Sequence, residues 1–427
     1  MKRYRHQPTR GLCSSEPPKT FVQPVWLQGA CAFALVLVLL YGGSGFALTS
    51  EPVQVGARGN ILQTDLDFHS ASGHLFAVLL NEESGQWAWL VNISTDNGET
   101  WTETYEWPST MAIADISSVV AGDYLYVAYV DPLVPEFGKI RRFNAIDGSV
   151  DSTYGGIGWI EVLDAGTDTF REVAVASSAD QNDTRLYYFA IQSNYVLRYA
   201  WTNQEGGADT PWSEIDTGVT SANHAIDATY AENSSTFLYV AYEGLDGDLH
   251  IWRRMSDVTS DVTDFGVIQR DWLRISAFED TIVALYDDQV AADRGLKYLM
   301  STDAGDTWQS PSPLTPMDNY TSPAVTLRNG GGVAAVYHDV TTPDWAALTQ
   351  KDYANGDWST PVDCATPGLT TGSYSDIEWL PFGNYGVLLV GSGTSGRNSF
   401  FALPLLLFGD GFESGDDTQW SETLPLQ

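Results

Sequence analysis

The chain has 427 residues, with 21 Lys and Arg against 55 Asp and Glu and a formal charge of −34. Such a polyanion repels phosphate backbones and anionic headgroups, which excludes nucleic acid and anionic lipid as partners. The length accommodates one large domain.

Residues 1–47 have the layout of an export leader. Lys2, Arg3, Arg5, Arg10 and Lys19 form a basic front, Ala30–Tyr41 is an unbroken apolar run, and Gly45-Phe46-Ala47 fits a small-x-small cleavage site. The apolar run is shorter than the roughly 20 residues of a membrane span, so no span is expected in the mature chain. Removal of the leader takes away five basic residues and one acidic one, Glu16, and moves the charge from −34 to −38. It also removes Cys13 and Cys31 and leaves Cys364. An intramolecular disulfide is then impossible, and packing alone must hold the core.

After a short extended segment, Glu51–Gly56, a four-strand plan recurs along the chain. First strands are expected at Asp65–Ser70, Asp115–Val120, Glu172–Ser177, Ile226–Tyr230, Trp272–Phe278, Pro323–Leu327 and Asp376–Leu380. Second strands, of the type Leu-Tyr-Val-Ala-Tyr, begin at Leu75, Leu125, Leu186, Leu238, Ile282, Val333 and Gly386. Third strands include Trp87–Ile93, Val196–Ala200, Leu249–Met255 and Leu296–Met300, and several fourth strands open on Trp101, Trp212, Trp308 and Trp358. Short runs of Val, Ile, Tyr, Phe and Trp bounded by Gly, Asn, Asp and Ser are strands. A period near 50 built of four of them is the mark of a propeller blade. The expected fold is all-β: a β-propeller of seven four-stranded blades over residues 48–407. Six blades are the runner-up, and a β-sandwich is the plainer alternative. The seventh unit shows three strands, so Glu51–Gly56 is expected to supply its fourth. That closure hides two sheet edges that would otherwise invite aggregation.

One phrase occurs twice. Ser94-Thr95-Asp96-Asn97-Gly98-Glu99-Thr100-Trp101 returns as Ser301-Thr302-Asp303-Ala304-Gly305-Asp306-Thr307-Trp308. A short Ser or Asp side chain can bond backbone N–H groups a few residues on, Gly supplies the φ > 0 corner, and Trp covers the turn. The phrase resembles the Asp box of sialidases and other bacterial-neuraminidase-repeat propellers, with Ser94, Asp96, Gly98, Trp101, Ser301, Asp303, Gly305 and Trp308 at the matching positions. The resemblance implies a propeller in which the box sits between third and fourth strands, has a structural role, and lies on the face away from the functional one. A sialidase of that family also grips the sugar carboxylate with three arginines, and uses a Tyr–Glu nucleophile pair and an Asp acid/base. The family's Arg-Ile-Pro phrase has no match here. The corresponding region reads Ala57-Arg58-Gly59-Asn60-Ile61-Leu62, and the acid/base region, Asn81–Val91, has no Arg and no Asp. Residues 408–427 are acidic and Gly-rich, and resemble a short tail of many exported bacterial proteins. This implies a bacterial source and a sorting or surface role.

Propeller geometry places strand-one starts and strand-two exits on one face. There the sequence supplies Asp65, Asp115, Glu172, Asp227, Asp271 and Asp376 at the starts, and Asp131, Glu243, Asp287, Asp288, His338 and Asp339 at the exits. These twelve are the candidate binding residues, and Arg171 and Arg270 are the nearby arginines. No catalytic residue is assigned. Converging carboxylates suit Ca²⁺, with Asp246-Gly247-Asp248 as a second candidate. No cofactor is required. Trp87, Tyr129, Tyr242, Tyr286 and Tyr337 are candidates for stacking on sugar rings. The expected function is an exported or cell-surface module, monomeric, that binds a glycan or protein ligand on its acidic face without catalysis. The alternative is a glycoside hydrolase, either a divergent sialidase or a neutral-glycan enzyme.

Overall fold

A computed structural model describes residues 47–48, 53–55, 60–133, 137–163, 169–177, 185–203, 213–219, 226–231, 237–254, 260–268, 272–288, 295–315, 320–327, 332–339, 345–351, 356–359, 361–365, 374–380, 385–391 and 401–406. They belong to one compact unit, Gly45–Gln427. All of the leader-like segment 1–47 except Ala47, and the tail 408–427, lie outside them. No helix among the described residues is long and apolar enough to cross a membrane.

The strands form seven antiparallel sheets in simple meander order. Blade 1 runs Asn60–His69, His74–Glu83, Gln86–Ser94 and Thr102–Ser109. Blades 2 to 6 open with Ile116–Ala121, Phe170–Ser177, Ile226–Ala231, Leu273–Phe278 and Tyr320–Leu327. Blade 7 contributes Tyr374–Leu380, Tyr385–Gly391 and Phe401–Leu406. Its outer edge is filled from the N-terminal side. Val53–Gln54 pairs with Phe401–Ala402, as expected of the Glu51–Gly56 segment. Ala47–Leu48 adds a second short pairing with Leu405–Leu406. Each first strand touches the first strand of the next blade, and Tyr374–Leu380 touches Asn60–His69. The fold is thus a β-propeller of seven blades, closed by the N-terminal segment.

The core lies between blades. The second strands of blades 1 to 6 are buried and covered on both faces, which is why they read as continuous apolar runs and not alternations. In blade 1, Leu75, Ala77 and Leu79 pack to one side and Phe76, Val78 and Leu80 to the other, against Leu125, Val127 and Tyr129 of blade 2. In blade 3, Leu186 and Tyr188 face blade 2, while Tyr187, Phe189 and Ile191 face Leu238, Val240 and Tyr242 of blade 4. Aromatic rings fill these seams: Trp89 lies 5.3 Å from Tyr129 across the first.

Both repeated phrases are stapled turns between third and fourth strands. Ser94 Oγ accepts from the Gly98 N–H (2.8 Å) and donates to Asp96 (2.8 Å), which accepts from the Thr100 N–H (2.8 Å) and hydroxyl (2.5 Å). Ser301, Asp303, Gly305 and Thr307 repeat the same bonds within 0.1 Å. Thr307 and Ser301 hold the Asp303 carboxyl below the usual range. Ala304 sits in the left-handed region at φ 57°, next to Gly305 at 86°. That conformation costs an L-residue roughly 1–2 kcal/mol. It aims the Ala304 carbonyl at blade 4, where it accepts from Tyr239 Oη (3.0 Å) and Arg253 (2.7 Å). Trp308 completes the seam edge-on to Phe265 at 5.2 Å.

Two substitutions separate seam from turn. Phe189→Ala, in the dry seam between blades 3 and 4, should cost about 3–5 kcal/mol of unfolding free energy. Asp303→Ala, on an exposed turn, should cost about 1–2 kcal/mol. Chemical denaturation of both variants tests the order.

Candidate functional site: the central channel and the adjoining rim

An innermost strand has a sheet partner on one side only. Every second N–H on its other edge points into the channel and must find an acceptor. The neighbouring blade supplies one. Asp376 of blade 7 accepts from the Leu66 N–H (2.5 Å), Asp65 from Ser118 N–H (2.5 Å), Asp115 from Val173 N–H (2.7 Å) and Asp227 from Ile275 N–H (2.8 Å). Between blades 1 and 2 there are three such rungs. Gln63 donates to the Ile116 carbonyl and accepts from its N–H, and Asp67 accepts from Val120 N–H (3.1 Å) and Ser118 Oγ (2.5 Å). Ser117 does the same for Val175 N–H at 3.2 Å. Side chains thus take the place of a missing strand.

The enclosed space has a volume of about 250 Å³. Asp65, Asp67, Asp115, Asp227, Asp376 and Glu378 line it, with Arg274 as the one guanidinium there among the described residues. Enclosure disfavours the charged form of each acid. It pushes Asp115 up to about 7 and Asp227 to about 6, against the pull of neighbouring N–H groups and of Arg274. Asp67 is raised to about 8 by burial and then by the charge of Asp65. Burial also raises Asp65; it raises Asp376 and Glu378 well above the usual range, helped by neighbouring carboxylates.

Four candidates from the sequence, Asp65, Asp115, Asp227 and Asp376, therefore sit in the channel wall with an oxygen on the next blade's backbone. Glu172, on the first strand of blade 3, is buried but is not among the residues that line the channel. The strand-two exits are also buried. Asp131 pairs with Lys139 (2.5 Å) and Asp288 with Lys297 (2.5 Å), and Glu243, Asp287 and His338 are covered. Asp271 and the side chain of Asp339 lie outside the described residues. Tyr129, Tyr242, Tyr286 and Tyr337 are 0–2 % exposed, so their faces are spent on the seams. The sequence reading passed over Arg274, Asp67 and Glu378. The last two were legible, because acids at i and i+2 of a strand face the same way.

On the same face, blade 3 carries an exposed pair. The register of its first strand shifts between Phe170 and Glu172, which places Arg171 at a β-bulge, and a bulge re-aims a side chain. Tyr195, in the turn after the second strand, is 40 % exposed and holds φ 64°. The Arg171 guanidinium lies 5.6 Å above its ring. The Tyr195 carbonyl accepts from Val219 N–H (3.1 Å), Gly218 O accepts from Leu245 N–H (2.7 Å), and Leu245 is 58 % exposed. The rim continues from blade 3 to the second-to-third-strand turn of blade 4.

No family model matches the chain, and no curated protein does. Among solved structures, the fold is similar to that of the BP39L lectin from Burkholderia pseudomallei. The TM-score is 0.58 at 13 % identity, covering 79 % of this chain and 98 % of that one. The NanB sialidase from Streptococcus pneumoniae aligns with a TM-score of 0.46 at 12 % identity, over 85 % of this chain and 71 % of that one.

The channel acids give stability a definite pH dependence. An Asp with an ordinary unfolded value near 3.8 that rises to about 7 (Asp115) or about 6 (Asp227) on folding keeps a proton in the native state that the unfolded chain has released. Stability contributed by the neutral form is full below the unfolded value and is lost as pH rises through the folded one. The melting temperature should therefore fall between pH 5 and pH 8, as roughly located by these shifts. Asp115→Asn, which keeps an acceptor for Val173, should flatten that fall. Calorimetric scans across this range test both.

Proposed function

We infer that this chain is an exported propeller that binds a glycan, without catalysing a reaction, on the face that carries Arg171 and Tyr195. The observation that carries the reading is the Arg171–Tyr195 pair. Solvent-exposed Tyr at φ 64° is an unfavourable arrangement for a bulky residue, and such strain concentrates at binding sites. The ring offers an apolar face for a sugar, and the guanidinium offers fixed donors for its hydroxyls. Loops carried on a rigid scaffold are where binding concentrates. The chain's charge of −34 opposes a carboxylated sugar, so an uncharged one fits better. Export is supported by the leader-like residues 1–47, and a bacterial cell-surface location by the tail 408–427. The twin phrases, with their resemblance to the Asp box, support kinship with sialidase-like propellers.

A second reading, glycoside hydrolysis, has one observation in its favour: Asp67, Asp115 and Asp227 are carboxyls held near neutrality, as a general acid must be. Against it, all three already serve the blade-to-blade bonds. A glycan array separates the two readings. Binding by wild type that is lost in Tyr195→Ala and weakened in Arg171→Ala, with unchanged melting temperatures, is the expected outcome. Undiminished binding by Tyr195→Ala would contradict the site. Turnover of a fluorogenic glycoside that disappears in Asp115→Asn would favour the enzyme.

A further inference from the structure

We propose that Asp246, His250 and Asp264, on the rim of blade 4, bind one divalent ion of the zinc class. The three residues come from three successive elements. Asp246 lies in the turn between the second and third strands, His250 in the third strand, and Asp264 in the fourth strand, where the register shifts between the pairs Asp248–Ile268 and His250–Asp264. One ligand atom from each lies within 4.8 Å of the others. His250 Nε2 and Asp246 Oδ1 are 3.4 Å apart, close to the spacing set by a tetrahedral ion with bonds of about 2.0–2.2 Å. Asp246 and Asp264 are exposed, so both carboxylates have room to close the remaining gap.

Gly244 sits where two of the donor atoms converge. A Cβ there would lie 2.4 Å from Asp246 Oδ1 and 2.6 Å from His250 Nε2. Gly244 is not among the positive-φ residues, so its backbone does not call for glycine. The space above its Cα does, because the two donor atoms converge on it. Neighbouring groups also orient these side chains. The His250 ring stacks on Tyr242 at 5.3 Å and 14°, and Tyr242 Oη donates to Asp216 (3.0 Å). Asp264 accepts from the Gly266 N–H (2.8 Å) and Asp246 from the Asp248 N–H (3.1 Å). Fixed ligand orientation favours metal binding.

The donor set selects the metal. Ca²⁺ takes six to eight oxygens, whereas an imidazole with two carboxylates and open positions suits zinc and its first-row neighbours. Asp246-Gly247-Asp248, the sequence's own cation candidate, contributes one residue to this cluster; Asp248 is not part of it. The site borders the Leu245 turn, and thus the rim that carries Tyr195.

The test is calorimetric titration of EDTA-stripped protein with Zn²⁺, paired with the visible absorption of the Co²⁺ form. One Zn²⁺ per chain is expected, with cobalt bands of low-symmetry coordination. Loss of even an outer partner typically costs about 10–100-fold in affinity, so His250→Ala and Asp264→Ala should each weaken binding at least about tenfold. Gly244→Ala should weaken it too, by filling the space between the donors. If His250→Ala fails to fold, Asp264→Ala at its exposed position decides. Zinc heats unchanged in Asp264→Ala, no zinc heat in wild type, or Ca²⁺ binding in preference to Zn²⁺ would each overturn the proposal.

Discussion

The wheel depends on satisfying the open inner edge of each blade. A four-stranded sheet set radially around an axis leaves a row of N–H groups facing the hub, and each buried one without an acceptor costs as much as a lost hydrogen bond. Here the acceptors are Asp376, Asp65, Asp115 and Asp227, each reaching across to the first strand of the following blade. The bonds are directional and pass from one blade to the next, so they fix how adjacent blades sit while the apolar seams provide the bulk of the cohesion.

That solution explains the concentration of acid at the hub. A carboxyl group suits the position because two oxygens can serve two donors, as Asp67 does for Val120 and Ser118. Enclosure then raises the acids, and Arg274 offsets part of the repulsion among them. The channel acids thus serve as a structural hub. The ring of blades is tied a second time near its periphery, where Arg253 of blade 4 bonds Asp261 of its own blade and both Ala304 and Asp306 of the box turn in blade 5.

The fold was largely legible in the sequence. Second strands on both-face-buried runs such as Leu238–Tyr242 could be placed within a residue, because no other element has that composition at that length. The seven-fold count and the closure by Val53–Gln54 followed from one missing strand. Ala47–Leu48 was not foreseen, since a two-residue pairing leaves no periodicity. The site was less legible. The sequence places acids at strand ends on one face, but whether an Asp at a strand start points to solvent or to a neighbour's N–H depends on the next blade's register. Tyr195 gave no signal, because its importance lies in a backbone angle. His250 was separated from Asp264 by a strand reversal, so their convergence appears only in three dimensions.

The rim and the hub make different demands. The hub acids Asp65, Asp115, Asp227 and Asp376 are bonded to the next blade; the rim at Arg171, Tyr195 and Leu245 carries exposed groups and a strained backbone, which is the distribution expected when a rigid scaffold presents a binding surface. The central claim, that side chains of one blade stand in for a strand partner of the next, is tested most directly by native-state amide hydrogen exchange. The N–H groups of Leu66, Ser118, Val173 and Ile275 should exchange only on global unfolding, as slowly as N–H groups bonded within the sheets. Exchange at the rate of open strand edges, with the wheel otherwise intact, would contradict it.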